Sequence, residues 1–205
     1  AEDVVALEWM EAENLVVLGV MPVGVADVDG YTTWNTAAPL DDTVRDVGTR
    51  SEPSSDSILD LEPDLVIMEA EGHAALIEGP EQYRPGMVTV ASDAAGHIAH
   101  MRKTFSSIAE AVGKEEEAEE VLADLDTTLA DATAALADAD MDGEDFLLAD
   151  GYLQGSSFVV RVFAEGSLFS ELAEEVGLHN AWTEPGDEVW GLSMTDIEGL
   201  TTLDD

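Results

Sequence analysis

Residues 114–139 read KEEEAEEVLADLDTTLADATAALADA, and this stretch decides the architecture. It is rich in Ala, Asp and Glu, and Val121, Leu122, Leu125, Leu129 and Leu136 fall on one side of a helical period. The reading is a single helix of roughly 35 Å, the diameter of a small domain. The segment Asp138-Ala139-Asp140-Met141-Asp142-Gly143 ends it. A helix of that length between two differently patterned regions is a connector.

On its N-terminal side strands alternate with helices. Asp3-Val4-Val5-Ala6-Leu7, Val20 to Ala26, Leu65-Val66-Ile67-Met68 and Met87-Val88-Thr89-Val90-Ala91 are β-prone. Pro22 marks a strand start or an edge in the second of these. Glu11 to Leu18 and Ser54 to Leu61 are helical in pattern, the latter with Ser54 or Ser55 as cap. Ile98, Met101, Phe105, Ile108 and Val112 form an amphipathic stripe that Gly113 closes. Strands separated by helices imply a parallel sheet covered on both faces. After the connector, Phe146 to Ala149 and Phe158 to Phe163 read as strands with a turn around Gln154-Gly155, and Ser167 to Val176 reads as a helix closed by Gly177. The expected fold class is α/β: two lobes with parallel-rich sheets, residues 1–113 and 140–205, joined by the helix 114–139. The second lobe is expected to be incomplete.

Charge narrows the function. Asp and Glu number 46 against 7 Lys and Arg, a formal net charge of −39. Such self-repulsion destabilises a compact state in dilute salt. Salt relieves it, because the Debye length falls from about 10 Å at 0.1 M to about 3 Å at 1 M. The expectation is an acidic protein adapted to high salt. Nucleic acid is excluded as a partner for want of a basic patch. With 45% hydrophobic residues the chain is not a disordered acidic tail. There is no cysteine and no apolar run of membrane-spanning length. The chain enters a strand almost at once, as a trimmed mature form would, and shows no signal peptide.

In parallel α/β sheets ligands bind beyond the carboxyl ends of the strands. Those ends carry Glu8 and Trp9, the run Asp27 to Trp34, Arg50, and Glu69 to His73; the later Trp190-Gly191-Leu192-Ser193 follows an acidic loop. Tyr31 and Trp34 read as aromatics in a polar loop. Arg50 is one of five arginines in a chain that avoids cations. Its guanidinium offers a fork of donors to oxygen ligands and keeps its proton. The spacing alone leaves Arg50 open between that role and a salt bridge to Asp46 or Glu52. His97 and His100 share a helix face but lack a third metal ligand at a recognisable spacing, and His179 reads as structural. No nucleophile elbow, phosphate loop or metal signature is present, which disfavours an enzyme.

Several runs together resemble the ferric-hydroxamate-binding proteins of ABC importers, within the class III periplasmic binding proteins. They are Val4 to Trp9, Leu18 to Asp27, Tyr31 to Trp34, Asp46 to Pro53, Leu61 to Val66, Gly166 to Phe169, Gly177 to Trp182 and Trp190-Gly191. The resemblance implies an extracytoplasmic protein that captures an iron(III)-siderophore and hands it to an ABC permease. It implies no permanently bound cofactor, a monomer, and membrane association only through a lipid anchor or the permease. It places Arg50 against the hydroxamate oxygens, with Trp34 and Trp190 as aromatic walls of the cleft; Trp9 and Tyr31 are further candidate ligand contacts. His73 takes a position where the family often has a tyrosine, and Ser193 stands beside the position of a family serine that is Leu192 here. Glu78 and Glu198 fall near the carboxylates that dock on permease arginines. Family members continue several dozen residues beyond the position of Asp205. Open alternatives are another chelate, cobalamin or haem, with His73 or Tyr31 as axial ligand. A bare zinc or manganese ion on His73, His97 and His100 is a further one.

Overall fold

The computed structural model describes residues 1–70, 72–73, 86–90 and 96–202. Packing divides the chain into two compact units: Ala1–Ala91 with Lys103–Glu120, and Ser92–Arg102 with Val121–Asp205.

The first unit is built on five parallel strands, β1 (Val4–Ala6), β2 (Gly24–Val25), β3 (Arg45–Asp46), β4 (Leu65–Glu69) and β5 (Gly86–Thr89), in the order β3-β2-β1-β4-β5. β1 is central, with Val5 opposite Gly24 on one side and Val66 on the other. All three of its residues are buried, as a parallel strand with both faces covered requires. Helices α1 (Trp9–Val17), α2 (Val28–Trp34) and α3 (Ser55–Leu59) connect these strands. The core packs Val5, Leu7, Ala26, Val47, Ile58, Val66 and Met68 together. Gly24 is needed where it stands, because a Cβ there would come within 2.6 Å of Leu61 Cδ1.

The helix starts follow capping chemistry. Ser54 Oγ accepts from the Ser57 amide at the head of α3, and Asp27 Oδ1 accepts from the Gly30 amide at the head of α2. Helix α2 replaces the predicted polar loop. The predicted strand Val20 to Ala26 contracts to β2, and Val90 lies outside β5 while Ala91 falls outside the described residues.

Helix α4 (His97–Val112) and helix α5 (Glu115–Asp138) match the two predicted helical stretches. Val121, Leu122, Leu125, Leu129 and Leu136 of α5 are half-buried. The second unit continues with β6 (Asp145–Phe146), β7 (Ala149–Gln154), β8 (Ser157–Phe163), α6 (Leu168–Glu175), β9 (His179–Asn180) and β10 (Leu192–Thr195). The predicted turn at Gln154-Gly155 closes an antiparallel β7–β8 hairpin, and β10 adds antiparallel to β8, while β6 and β9 pair in parallel. The antiparallel three-stranded sheet departs from the parallel-rich expectation for this lobe. Val160, Val162, Ala164 and Trp182 form its core. Asn180 braces it from inside: Nδ2 donates to Phe163 O and Ser170 Oγ, and Oδ1 accepts from the Trp182 amide. Among the described residues no helix is long and apolar enough to cross a membrane.

Candidate functional site

The carboxyl ends of β1, β2 and β4, and the loop after β3, supply the lining of a cavity of about 460 Å³ in the first unit: Glu8, Asp27, Thr49, Arg50, Ser51 and Gly72. The loops are tied together before any ligand arrives. Asp27 holds a left-handed backbone, φ 57°, and its amide donates to Gly48 O. Asp46 Oδ2 accepts from the Val28 amide and its Oδ1 from the Gly48 amide. Thr49 Oγ1 accepts from the Glu52 amide. The segment that carries Arg50 is therefore fixed at its root.

Arg50 is held by three groups. Its guanidinium carbon stacks 4.4 Å from the centre of the Trp9 ring, a cation–π arrangement. Its Nε donates to Glu8 Oε2 at 2.6 Å, and Nη2 stands 2.5 Å from the same oxygen as an ion pair. Its carbonyl oxygen accepts from His73 Nε2 at 2.9 Å. Trp9 is itself anchored, with Nε1 donating to Asp27 O at 3.2 Å. The salt-bridge partner of Arg50 is thus Glu8, not Asp46 or Glu52. A guanidinium has five N–H groups; Glu8 takes the Nε–H, and the hydrogens on the two terminal nitrogens make no hydrogen bond among the described residues. Side-chain exposure is 44% for Arg50 and 17% for Glu8.

His73 is 2% exposed. A carbonyl only accepts, so Nε2 carries a proton, and Nδ1 lies 3.2 Å from both the Glu69 amide and the Glu69 carbonyl. Both ring nitrogens are occupied. The expected ligand contact by His73 is corrected to a buried brace under the Arg50 main chain. Tyr31 is corrected likewise. It sits on the inner side of α2, fully buried, and its hydroxyl donates to Ala38 O at 2.6 Å. Burial, helped by the charge of Glu13, pushes that hydroxyl up to about 12. Neither residue offers an axial atom to haem.

Trp34 ends α2 and is 75% exposed. The structure does not stack it on Arg50: among the described residues the cation–π partner is Trp9. Trp190, Ser193 and Glu198 belong to the second unit. Trp190 is 51% exposed, in a turn that Asp187 builds by accepting from the Val189 and Trp190 amides on Oδ1 and the Leu192 amide on Oδ2. Partial burial raises the Asp187 carboxyl, yet those amides outweigh it and leave its pKa lowered. Ser193 lies opposite Val162 in β10, half-buried, and Glu198 is exposed. Glu78 falls outside the described residues. No group of three or more His, Asp or Glu that could hold a metal ion occurs among the described residues. Sequence reasoning singled out Arg50 and Trp9 but assigned no task to Glu8 or Asp187, and offered Asp46 as an ion-pair partner of Arg50 where it instead binds the Val28 and Gly48 amides. The signal for Glu8 was its place directly after the central strand.

Comparisons with known proteins place this geometry. The chain is 30% identical over 202 residues to the iron(3+)-hydroxamate-binding protein FhuD of Escherichia coli, covering 98% of this chain and 66% of that one. It is 28% identical over 212 residues to the Fe(3+)-citrate-binding protein YfmC of Bacillus subtilis, covering 98% and 65%. The chain spans about two thirds of the length of these relatives. Its fold is that of the siderophore-binding protein FhuD of Vibrio cholerae, solved with Fe3+-Desferal, at a TM-score of 0.84, 23% identity and 98% coverage of this chain against 75% of that one. The family model described as periplasmic binding protein matches residues 4–195. The chain belongs to the periplasmic binding protein family.

Proposed function

We propose that this protein is the extracytoplasmic component of an ABC importer that captures iron(III) as a preformed hydroxamate chelate and delivers it to the permease. In this reading lobes 1–113 and 140–205 are joined by the helix 114–139. The protein works as a monomer, reaches the membrane through the permease or a lipid anchor, and performs no chemistry on its ligand. The observation that carries the proposal is Arg50 stacked on Trp9 at the carboxyl end of the parallel sheet, with donors left over. The iron arrives with its coordination shell filled, so the protein supplies no metal ligand. It needs donors for the chelate's oxygen face and an aromatic surface for its carbon arms. Arg50 supplies charge-assisted hydrogen bonds; Trp9, Trp34 and Trp190 supply the surface, with Ser193 beside the last. A ferric trihydroxamate is neutral or carries a pendant ammonium, so one arginine suffices. A ferric catecholate is strongly anionic and needs more cations than this lining has. Hydroxamate binding by the Escherichia coli relative, as its name states, supports the same class. Glu198 and Glu78 are the proposed docking carboxylates for the permease.

The test is a tryptophan-fluorescence titration in molar KCl against a ferric trihydroxamate, a ferric catecholate, haem and cobalamin. Quenching by the trihydroxamate is expected, and Arg50→Ala should weaken it at least about tenfold, the worth of a hydrogen bond to a charged group. An unchanged affinity in that variant removes Arg50 from the site. Saturation by haem or cobalamin in place of the hydroxamate overturns the ligand class.

A further inference from the structure

The site holds a charge arrangement that the capture of an iron chelate does not by itself require. Glu8 occupies the position before α1, where a side chain ordinarily caps its own helix. It makes no such bond. Its carboxylate turns to Arg50, accepting the Nε–H and pairing with Nη2 on Oε2 alone, while Oε1 has no hydrogen-bond partner among the described residues. Oε1 lies 3.9 Å from the point a Cβ on Gly72 would occupy, and Glu69 Oε2, which accepts from the Gly72 amide, lies 3.2 Å from the same point. Asp27 adds a further carboxylate to the lining. One cation, Arg50, and two anions, Glu8 and Asp27, leave the lining at a formal −1.

We propose that Glu8 is the specificity-determining residue for ligand charge. It cancels Arg50 without removing its donors, so the site prefers a ferric trihydroxamate bearing a pendant ammonium over the uncharged chelate, and rejects anionic ferric carboxylate complexes. This rests on the hydroxamate reading above. The spare Glu8 Oε1, which shares the space over Gly72 with Glu69 Oε2, is the acceptor for the ammonium. Removing the Glu8 charge takes the lining from a formal −1 to 0 and abolishes the selection.

Two probes isolate the charge: a linear ferric trihydroxamate with a terminal ammonium, and the same chelate acetylated at that nitrogen. Ferric citrate is the third. In molar KCl the wild type should bind the ammonium form about threefold more tightly than the acetylated form, the size of a screened single-charge interaction, and the ratio should grow as salt is lowered. Glu8→Gln should bring the ratio to about one and strengthen ferric citrate. Glu8→Asp keeps the charge and should keep the preference, which separates selection from a loss of folding. A wild-type ratio of one with both chelates bound overturns the selection alone, as does a Glu8→Gln variant that keeps the wild-type ratio. Binding of neither chelate overturns the hydroxamate reading together with this one.

Discussion

Glu8 and Glu11 stand three residues apart and meet opposite fates. Glu8 reaches a guanidinium. Glu11, on the inner face of α1, is fully buried; Thr89 donates to its Oε1, and its Oε2 has no hydrogen-bond partner among the described residues. Burial disfavours the carboxylate and raises its pKa, although the Thr89 bond pulls the other way. The sign of the pH dependence follows. The folded protein holds this proton more tightly than the unfolded chain does. The group is therefore neutral and tolerated below the ordinary carboxylate range, and it becomes progressively destabilising as pH rises through that range towards its raised value. Glu11→Gln removes the ionisation and keeps an acceptor for Thr89. Its stability relative to the wild type should rise with pH, reaching a gain on the order of 1 kcal/mol at neutral pH, the scale of one poorly satisfied buried polar group. Parallel thermal melts of both proteins in molar KCl, from mildly acidic to neutral pH, read this. Identical pH profiles would remove the raised pKa as a factor in stability.

At the scale of elements, periodicity and caps carried most of the fold. The five-residue strand β4, the long α5 and β8 with the turn before it were legible because each pattern is local, whereas the predicted strand Phe146 to Ala149 falls between β6 and β7 and meets each by one residue. The short pieces were not: β3, β6 and β9 hold two residues each, too few to show a period, and exist through their neighbours. Helix α2 was hidden by Asp29-Gly30, which reads as a turn, although Asp27 as cap with Val28 and Tyr31 three apart was a usable signal. Missing that helix is what misplaced Tyr31. Arg50 and Trp9 could be picked out at strand ends, but the Glu8 bond spans 42 positions and the His73 bond 23, distances no local spacing reveals. The start of α4 shows the same limit. Glu171, on α6, accepts from the His97 amide on Oε1 and the Ile98 amide on Oε2, both at 2.9 Å, from 74 and 73 residues away. A carboxylate there also meets the positive end of the helix dipole. Glu171→Ala should cost about 1–2 kcal/mol, the upper range for a lost cap. Denaturant unfolding measures this. Chelate affinity at the Arg50 site should stay unchanged, because Glu171 is not among the residues that line that cavity. A silent Glu171→Ala would mean that solvent replaces the cap at no cost.

For the molecule as a whole, the unbalanced charge decides the conditions in which it folds. Of the few cations, Arg50, Arg102, Lys114 and Arg161 are committed to single carboxylates, Glu8, Asp126, Glu117 and Asp150. With 46 acids against 7 Lys and Arg, most carboxylates have no cation to pair with. The first turn of α5 carries Glu115, Glu116 and Glu117, which its dipole favours, but its last turn has no basic residue. Repulsion of this kind is long-ranged in dilute buffer and shrinks with the Debye length, which falls with the square root of ionic strength. Screening therefore predicts a particular curve. The thermal midpoint should climb on the order of 10 °C between 0.1 M and 2 M KCl, a few kcal/mol for a chain of this size. Most of the climb should come in the first few hundred millimolar, where the screening length contracts fastest. Salt acting by exclusion from the apolar surface would instead raise the midpoint in proportion to concentration. Melts followed by circular dichroism across a KCl series distinguish the two shapes. A midpoint indifferent to salt would show that the carboxylates are already balanced in the folded state by contacts other than these few ion pairs.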